Sequence, residues 1–254
     1  MKKAMLLWIA FLSMLWTQDH ALIVTIGEYR LLSPIKGTKQ DFEVYNSIMK
    51  RWNVSDVTVL KDREATAANI LEALRNVASK IKMGDRFYFI LSGHGSSLYD
   101  PLYSIKFQQA GLTEWLRDSG AVLPYDFDPK ETGKRLIIGK RDLRPILEEI
   151  DDRIEYGIAI FDVCYGEQSI RAENSVQRNQ AAAILTSSPG YPYQHLVYIA
   201  SSFTEAQSGI FSPVLDACLQ KDLEIGKLRE CIDRKMRKTP QIPVVLSFEK
   251  ADFN

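Results

Sequence analysis

Short apolar runs alternate along the chain with longer stretches in which apolar residues recur at helical spacing. The runs predict strands, and the 3.6-residue period predicts helices between them. The predicted strands are Ala21–Ile26, Asp56–Lys61, Arg86–Leu91, Gly157–Val163, Leu196–Ala200 and Ile242–Phe248. The predicted helices are Thr38–Trp52, Ala67–Lys82, Asp142–Ile150, Pro213–Gln220 and Ile225–Lys238. This alternation indicates an α/β fold, with a mostly parallel six-stranded sheet flanked by helices on both faces.

Two long segments, residues 96–134 and 166–190, show no sustained period. Each begins soon after a predicted buried strand ends. In open α/β sheets the ligand crevice lies outside the carboxyl ends of the strands, and long loops in a compact domain are commonly functional. The sequence therefore predicts a site at the ends of the third and fourth strands.

The N-terminus has the pattern of an export signal. Lys2 and Lys3 precede Ala4–Trp16, a run of thirteen residues of which all but one are apolar. A membrane helix needs roughly 20 apolar residues, and no other stretch approaches that length. We expect an exported, periplasmic or secreted protein, with residues 1–20 as a signal-like segment and residues 21–254 as one domain without a membrane span. An uncleaved anchor and a buried N-terminal helix are the alternatives.

Composition narrows the classes of function. The 32 basic residues balance the 32 acidic ones, so no overall field favours nucleic acid or an anionic membrane. The three cysteines are too few for a disulfide framework and too far apart for a zinc knuckle, so no metal is expected. Cys218 and Cys231 fall in helical patterns and are expected to pack in the core, with a disulfide as the alternative in an oxidising compartment.

Two predicted strands end in reactive residues. The third runs into Ser92-Gly93-His94-Gly95, and the fourth runs into Asp162-Val163-Cys164. If these strands are neighbours, His94 and Cys164 face one crevice, where an imidazole can lower the pKa of a thiol or accept its proton. The amides of Gly95 and Cys164 are candidate oxyanion-hole donors. Either residue by itself is more often structural, and it is the pair that predicts nucleophilic catalysis.

Together these segments resemble the caspase-like cysteine peptidases, and the metacaspase branch in particular. The resemblance extends from about residue 21 to residue 246. Its shared segments, in family order, are Ala65-Thr66 with Asn69-Ile70, Gly84–Gly95, Pro124–Phe127, Asp162–Gly166, Thr204–Gly209 and Pro240–Pro243. It implies a caspase-like fold and a cysteine endopeptidase acting on peptides or proteins. It also implies a Cys–His dyad, with Cys164 as nucleophile and His94 as general acid and base.

The resemblance further implies an acidic pocket for the residue before the cut. The two pocket aspartates of metacaspases map to Asp41 and Asp162, and Ser92 matches another pocket position. Two carboxylates favour a guanidinium or ammonium group, so we expect cleavage after Arg or Lys and not after Asp. The structural alternatives are a solvated helix carboxylate for Asp41, a buried structural partner for Asp162 and a turn hydroxyl for Ser92.

The chain departs from the metacaspase pattern where calcium-activated members carry an aspartate cluster. Asp126 keeps the first aspartate, but the following pair falls on Gly139 and Lys140, and the last position falls near Arg171. Calcium needs several oxygen ligands, and lysine and arginine repel it. These departures argue against calcium activation, and we expect no cofactor.

Basic specificity makes Arg171 and Arg178, in the polar 166–190 segment, candidates for self-cleavage. Two other functions stay open at this point. One is a catalytically silent caspase-fold module that binds peptides or partners, and the other is a thiol amidase or transpeptidase on the same sheet. The sequence leaves the oligomeric state undetermined.

Overall fold

The computed structural model describes residues 17–117, 119–165, 192–201, 209–221, 224–239, 241 and 243–247. Its strands are β1 (Asp19–Thr25), β2 (Asp56–Lys61), β3 (Asp85–Ser97), β4 (Gly120–Leu123), β5 (Ile137–Ile138), β6 (Ile154–Tyr165), β7 (Leu196–Ala200) and β8 (Val244–Leu246). The main sheet has the order β2-β1-β3-β6-β7-β8. Its first five strands are parallel and β8 is antiparallel to β7, which confirms the six predicted strands and the α/β fold class.

Helices cover both faces of the sheet, as the sequence predicts. They are α1 (Thr38–Arg51), α2 (Ala67–Lys80), α3 (Ser104–Gln109), α4 (Thr113–Leu116), α5 (Arg144–Asp151), α6 (Phe211–Cys218) and α7 (Ile225–Met236). One core layer joins alternate sheet residues to α2 and α5, and the other joins the intervening residues to α1, α6 and α7. On β3, for example, Phe87 and Phe89 belong to the first layer, whereas Tyr88 and Ile90 belong to the second. This period of two explains why the buried strands read as continuous apolar runs.

The segment after β3 contains structure that the sequence did not indicate. Strand β3 continues six residues beyond its predicted end, and its extension pairs antiparallel with β4, which pairs with β5. The short helices α3 and α4 pack over this small sheet through a third apolar cluster. Elements of two to six residues are too short to establish a period, so only the tertiary packing reveals them.

The first strand begins two residues before its predicted start at Ala21. Strand β1 starts at Asp19, whose carboxylate pairs with Arg86 at 2.7 Å. The imidazole of His20 is buried, with Nδ1 3.0 Å from Asp56 and Nε2 3.3 Å from Asp85. The strand starts earlier than predicted because its first, polar residues are stabilised by partners from β2 and β3, which a hydropathy pattern does not register.

Cys218 and Cys231 join α6 to α7 through a disulfide. Both also contact the core layer beneath these helices, so the predicted core packing and the alternative disulfide are both present. In the part of the chain that the structure describes, no helix combines the length and apolar character needed to cross a bilayer.

Candidate active site

The carboxyl ends of β3 and β6 lie side by side at the centre of the sheet. The two strands pair in parallel, with His94 opposite Cys164 and Ser92 opposite Asp162. The strands expected to be neighbours are therefore neighbours, and the four positions occupy two rungs of one ladder, with the Gly93–Val163 rung between them. Gly95, the proposed oxyanion-hole residue, follows at the same edge and lies opposite Tyr165.

The imidazole of His94 is half-buried against the loop that connects β1 to α1, residues 26–37. Its Nε2 atom lies 3.0 Å from the carbonyl oxygen of Ser33. A carbonyl only accepts, so Nε2 donates and carries the proton in the neutral ring. The basic nitrogen is then Nδ1. The ring also packs against Tyr29 at 4.7 Å between centroids, and the His94 backbone N–H donates to the Tyr29 hydroxyl at 2.6 Å.

Two aspartates lie buried next to the same strand ends. Asp41, on the inner face of α1, is 0% exposed, and Asp162, on β6, is 5% exposed. This burial excludes a solvated role for Asp41. Ser92 is also buried, and its hydroxyl donates to Asp41 Oδ2 at 3.4 Å, so it is not a turn hydroxyl. The structure thus brings together the three residues that the sequence assigned to one pocket.

Three neutral groups donate hydrogen bonds to Asp41. Besides Ser92, the hydroxyl of Ser212 on α6 donates to Oδ1 at 2.6 Å, and the Gly209 N–H donates to Oδ1 at 3.0 Å. Gly209 adopts a φ of +82°, a conformation that favours glycine. Burial raises the pKa of Asp41, and the three donors oppose that rise.

Asp162 has weaker compensation than Asp41. The hydroxyl of Tyr45, one helical turn after Asp41, donates to Asp162 Oδ2 at 2.9 Å. The buried Ser201 hydroxyl also favours the ionised carboxylate, although it makes no hydrogen bond of standard geometry within the described residues. Burial first, and then the charge of Asp41, raise the pKa of Asp162 to about 7. Burial and both carboxylates raise the pKa of Tyr45 well above its usual value, so Tyr45 stays protonated as a donor.

The acidic pair lacks a counter-cation among its hydrogen-bond partners in the described residues, since every such partner is neutral. Two buried carboxylates with only neutral donors repel each other and disfavour simultaneous ionisation. A cation entering between them would relieve that repulsion. The arrangement is therefore suited to bind a guanidinium or ammonium group.

A sequence profile of the caspase domain, the peptidase C14 family, matches residues 18–251. The chain belongs to the caspase-domain family. This membership supports a cysteine peptidase that acts on proteins, and the match is to the caspase domain as a whole, without a branch such as the metacaspases. A search of curated proteins finds no significant match.

The fold of this caspase-domain chain also resembles a solved structure, the crystal structure of protein GSU0716 from Geobacter sulfurreducens. The TM-score is 0.62 at 14% sequence identity, over 93% of this chain and 96% of that one. At this identity the likeness concerns the fold, which agrees with the caspase-like architecture predicted from the motifs.

Gly93, directly before the histidine, lies close to the β1–α1 loop. A Cβ at Gly93 would lie 2.8 Å from the Tyr29 hydroxyl and 3.4 Å from Ile26 Cβ. Gly93 therefore makes room for the β1–α1 loop to reach the histidine.

The positions that correspond to the calcium-binding aspartates of metacaspases make structural contacts in this chain. Asp126 Oδ1 accepts the Ala67 N–H at 2.9 Å at the start of α2, and the Lys140 N–H donates to Ser119 Oγ at 3.0 Å. The described residues contain no group of three or more His, Cys, Asp or Glu side chains able to hold a metal ion. Arg171 and Arg178, the self-cleavage candidates, lie outside the described residues.

Sequence reasoning missed several partners of the candidate site. Tyr45 had a local signal, because a buried polar residue four positions after Asp41 lies on the same helical face. The contacts of Ser212, Gly209 and Ser33 had none, since they depend on segments far apart in the chain.

Proposed function

We propose that this caspase-domain protein is a cysteine endopeptidase that cleaves after Arg or Lys through a Cys164–His94 dyad. The observation that carries the proposal is the register of β3 with β6. It pairs His94 with Cys164 on one rung and places the buried Asp162 opposite Ser92 on the rung two residues before.

In the proposed reaction Cys164 forms the covalent intermediate and His94 transfers the protons. The Cys164 thiol gives its proton to His94 Nδ1, and the thiolate sulfur attacks the scissile carbonyl carbon. The N–H groups of Gly95 and Cys164 stabilise the oxyanion. When the C–N bond breaks, the imidazolium protonates the leaving amine. Water, deprotonated by His94, then hydrolyses the thioester and restores the thiol.

Specificity in this proposal comes from Asp41 and Asp162. An entering arginine replaces the repulsion between two carboxylates with charge-assisted hydrogen bonds, which are about twice as strong as neutral ones. Lysine gives a point charge without the planar, bidentate geometry, so arginine is expected to be the better substrate. An aspartate side chain would add a third negative charge and be excluded.

Two further proposals concern export and self-cleavage. Export from the cytoplasm is supported by the Cys218–Cys231 disulfide, because such bonds persist mainly in oxidising compartments. Self-cleavage at Arg171 or Arg178 follows from basic specificity. Protein that stays a single chain while fully active would contradict it.

The decisive experiment compares fluorogenic peptides that differ only in Arg, Lys or Asp before the cut. Each is assayed with and without a calcium chelator, beside Cys164→Ala and His94→Ala. We expect Arg and Lys peptides to be cleaved, Asp peptides to be left intact, chelation to have no effect and both variants to be inactive.

Other outcomes identify the alternatives. Preferred cleavage of the Asp peptide would contradict the proposed roles of Asp41 and Asp162. Loss of activity on chelation would show that the enzyme depends on calcium, contrary to our expectation. Transfer of the acyl group to an added amine in place of water would indicate a transpeptidase. Peptide binding without cleavage by the intact, disulfide-bonded protein would indicate a silent binding module.

A further inference from the structure

Two residues of the β1–α1 loop, Ser33 and Tyr29, contact His94. Ser33 accepts from Nε2 at 3.0 Å, and Tyr29 both packs on the ring and accepts the His94 N–H at 2.6 Å. These contacts belong to a connecting segment, not to the sheet, so the orientation of the imidazole depends in part on this loop. The question is then what holds the loop.

A single carboxylate oxygen clamps the start of the loop. Asp62 Oδ1 accepts the Gly27 N–H at 2.8 Å and the Glu28 N–H at 3.0 Å. Asp62 follows β2 directly, and β2 is the neighbour of β1, so the clamp ties together the ends of two paired strands. Hydrogen bonds from backbone N–H groups to an ionised carboxylate are stronger than neutral ones.

The backbone of Asp62 supports a dedicated role. It adopts a φ of +46°, in the left-handed region that L-residues other than Asn and Asp rarely occupy. This conformation is where the chain turns from β2 into the short 3₁₀ helix Asp62–Glu64. Residues held in sparsely populated backbone conformations cluster at functional sites.

We propose that Asp62 and Tyr29 are positioning residues for His94. Asp62 holds the first residues of the β1–α1 loop, and the loop delivers the Tyr29 hydroxyl and the Ser33 carbonyl to the histidine. The result is one tautomer, with the proton on Nε2 and the basic Nδ1 available for proton transfer. This role rests on the proposed function, since it matters for catalysis only if His94 is the acid and base.

The test measures the His94 tautomer by ¹⁵N NMR in Cys164→Ala protein, which is practical because the chain has three histidines. We expect a single Nε2–H tautomer. Asp62→Gly, which removes the carboxylate and relaxes the positive φ, should give a mixture of tautomers. Asp62→Asn keeps an acceptor oxygen and tolerates the same φ, so it should restore the single tautomer. Tyr29→Phe should also shift the tautomer ratio, because the loop loses its hydrogen bond to the His94 backbone N–H and holds the Ser33 carbonyl less firmly against Nε2.

In the active enzyme the same variants should lower kcat and leave KM for an Arg peptide nearly unchanged, because the acidic pocket is untouched. We expect Asp62→Gly to lower kcat by about tenfold to a hundredfold, the scale for a misplaced catalytic group. The matched control is Asp151→Ala. Asp151 accepts three backbone N–H groups at the other edge of the sheet, from Gln194, His195 and Leu196.

Asp151→Ala should lower the melting temperature without changing the His94 tautomer or its pH titration. The proposal would be overturned if folded Asp62→Gly and Tyr29→Phe kept the wild-type tautomer and the wild-type kcat. It would also be overturned if Asp151→Ala shifted the tautomer as much as Asp62→Gly does. The NMR measurement needs no turnover. A protein with an ordered, clamp-dependent His94 but no peptidase activity would contradict the proposed function and support the positioning role.

Discussion

Buried carboxylates occur at both edges of the central sheet, but their partners differ. At the carboxyl edge, Asp41 and Asp162 accept hydrogen bonds from hydroxyls and one backbone N–H, and burial raises the pKa of each. At the opposite edge, burial also disfavours the charge of the half-buried Asp56 and the buried Asp85. There, however, Lys80 and His20 outweigh burial and lower the pKa of Asp56, and the Gln18 and Lys82 N–H groups together with His20 lower the pKa of Asp85.

The difference separates carboxylates that stabilise the fold from carboxylates that, in the proposed function, bind the basic residue of a substrate. Asp85 is matched by His20 and by the Gln18 and Lys82 N–H groups, so its ionised form stabilises the native state. The ionised form of Asp162, in contrast, is disfavoured by burial and by the charge of Asp41. Perturbed carboxylates without a counter-charge are typical of functional sites.

The largest expected effect comes from removing one charge of the acidic pair. Asp162→Asn should lower kcat/KM for Arg peptides on the order of a hundredfold to a thousandfold, the scale for losing one partner of a buried charge pair. Peptide cleavage assays measure this loss. The control is Asp216→Asn on α6, which removes an exposed carboxylate paired with Arg51 and should leave kcat/KM unchanged.

The same substitution should stabilise the empty protein. A carboxylate whose pKa rises on folding contributes stability below its unfolded pKa of about 3.9, and this contribution is lost as the pH rises through its folded pKa of about 7. The gain in melting temperature of Asp162→Asn should therefore grow between these two pH values and level off above them. If the variant were less stable than wild type at high pH, this would contradict the inference that the charge of Asp162 is uncompensated in the folded protein.

At the opposite edge the effect should fall on stability and spare activity. Asp85→Ala leaves His20 and two backbone N–H groups without their acceptor, and should lower the free energy of unfolding by about 2–4 kcal/mol. Denaturant titration measures this change, and kcat/KM of the folded variant should stay the same. Glu155→Ala, an exposed carboxylate near this edge, is the control.

The pH dependence of this effect has the opposite sign to that of Asp162. Because folding lowers the pKa of Asp85, its stabilisation is complete above the unfolded value of about 3.9 and is lost as the pH falls through the folded value. The stability difference between wild type and Asp85→Ala should shrink in acid. A difference that stays constant down to the lowest pH would mean that the charge does not contribute.

The smallest effect is the pH dependence of cation binding. In Cys164→Ala protein, agmatine, a small guanidinium compound, should bind about tenfold more tightly near pH 8 than near pH 6, because Asp162 with a pKa of about 7 ionises between them. Calorimetry measures the affinity. Asp162→Asn, which keeps His94, should show a flatter profile. Equal profiles for the two proteins would assign the effect to the histidine.

Most of the fold was predictable because buried strands and amphipathic helices leave periodic patterns of ten or so residues. The juxtaposition of His94 with Cys164 was predictable because neighbouring parallel strands end at one edge. The partners of the acidic pair were not predictable in this way. Tyr45 reaches Asp162 across 117 residues, and Ser212 reaches Asp41 across 171, with no pattern that links them.

The sequence by itself determined the α/β sheet and the strand ends that carry His94 and Cys164, and the family resemblance singled out Asp41 and Asp162. Only the tertiary structure decided the protonation of the aspartates and the histidine. Whether Asp162 is charged depends on its burial and on the distance to other charges, and the tautomer of His94 depends on a carbonyl 61 residues away. Both are consequences of three-dimensional packing, since Coulomb interactions and hydrogen bonds depend on distance in space and not on separation along the chain.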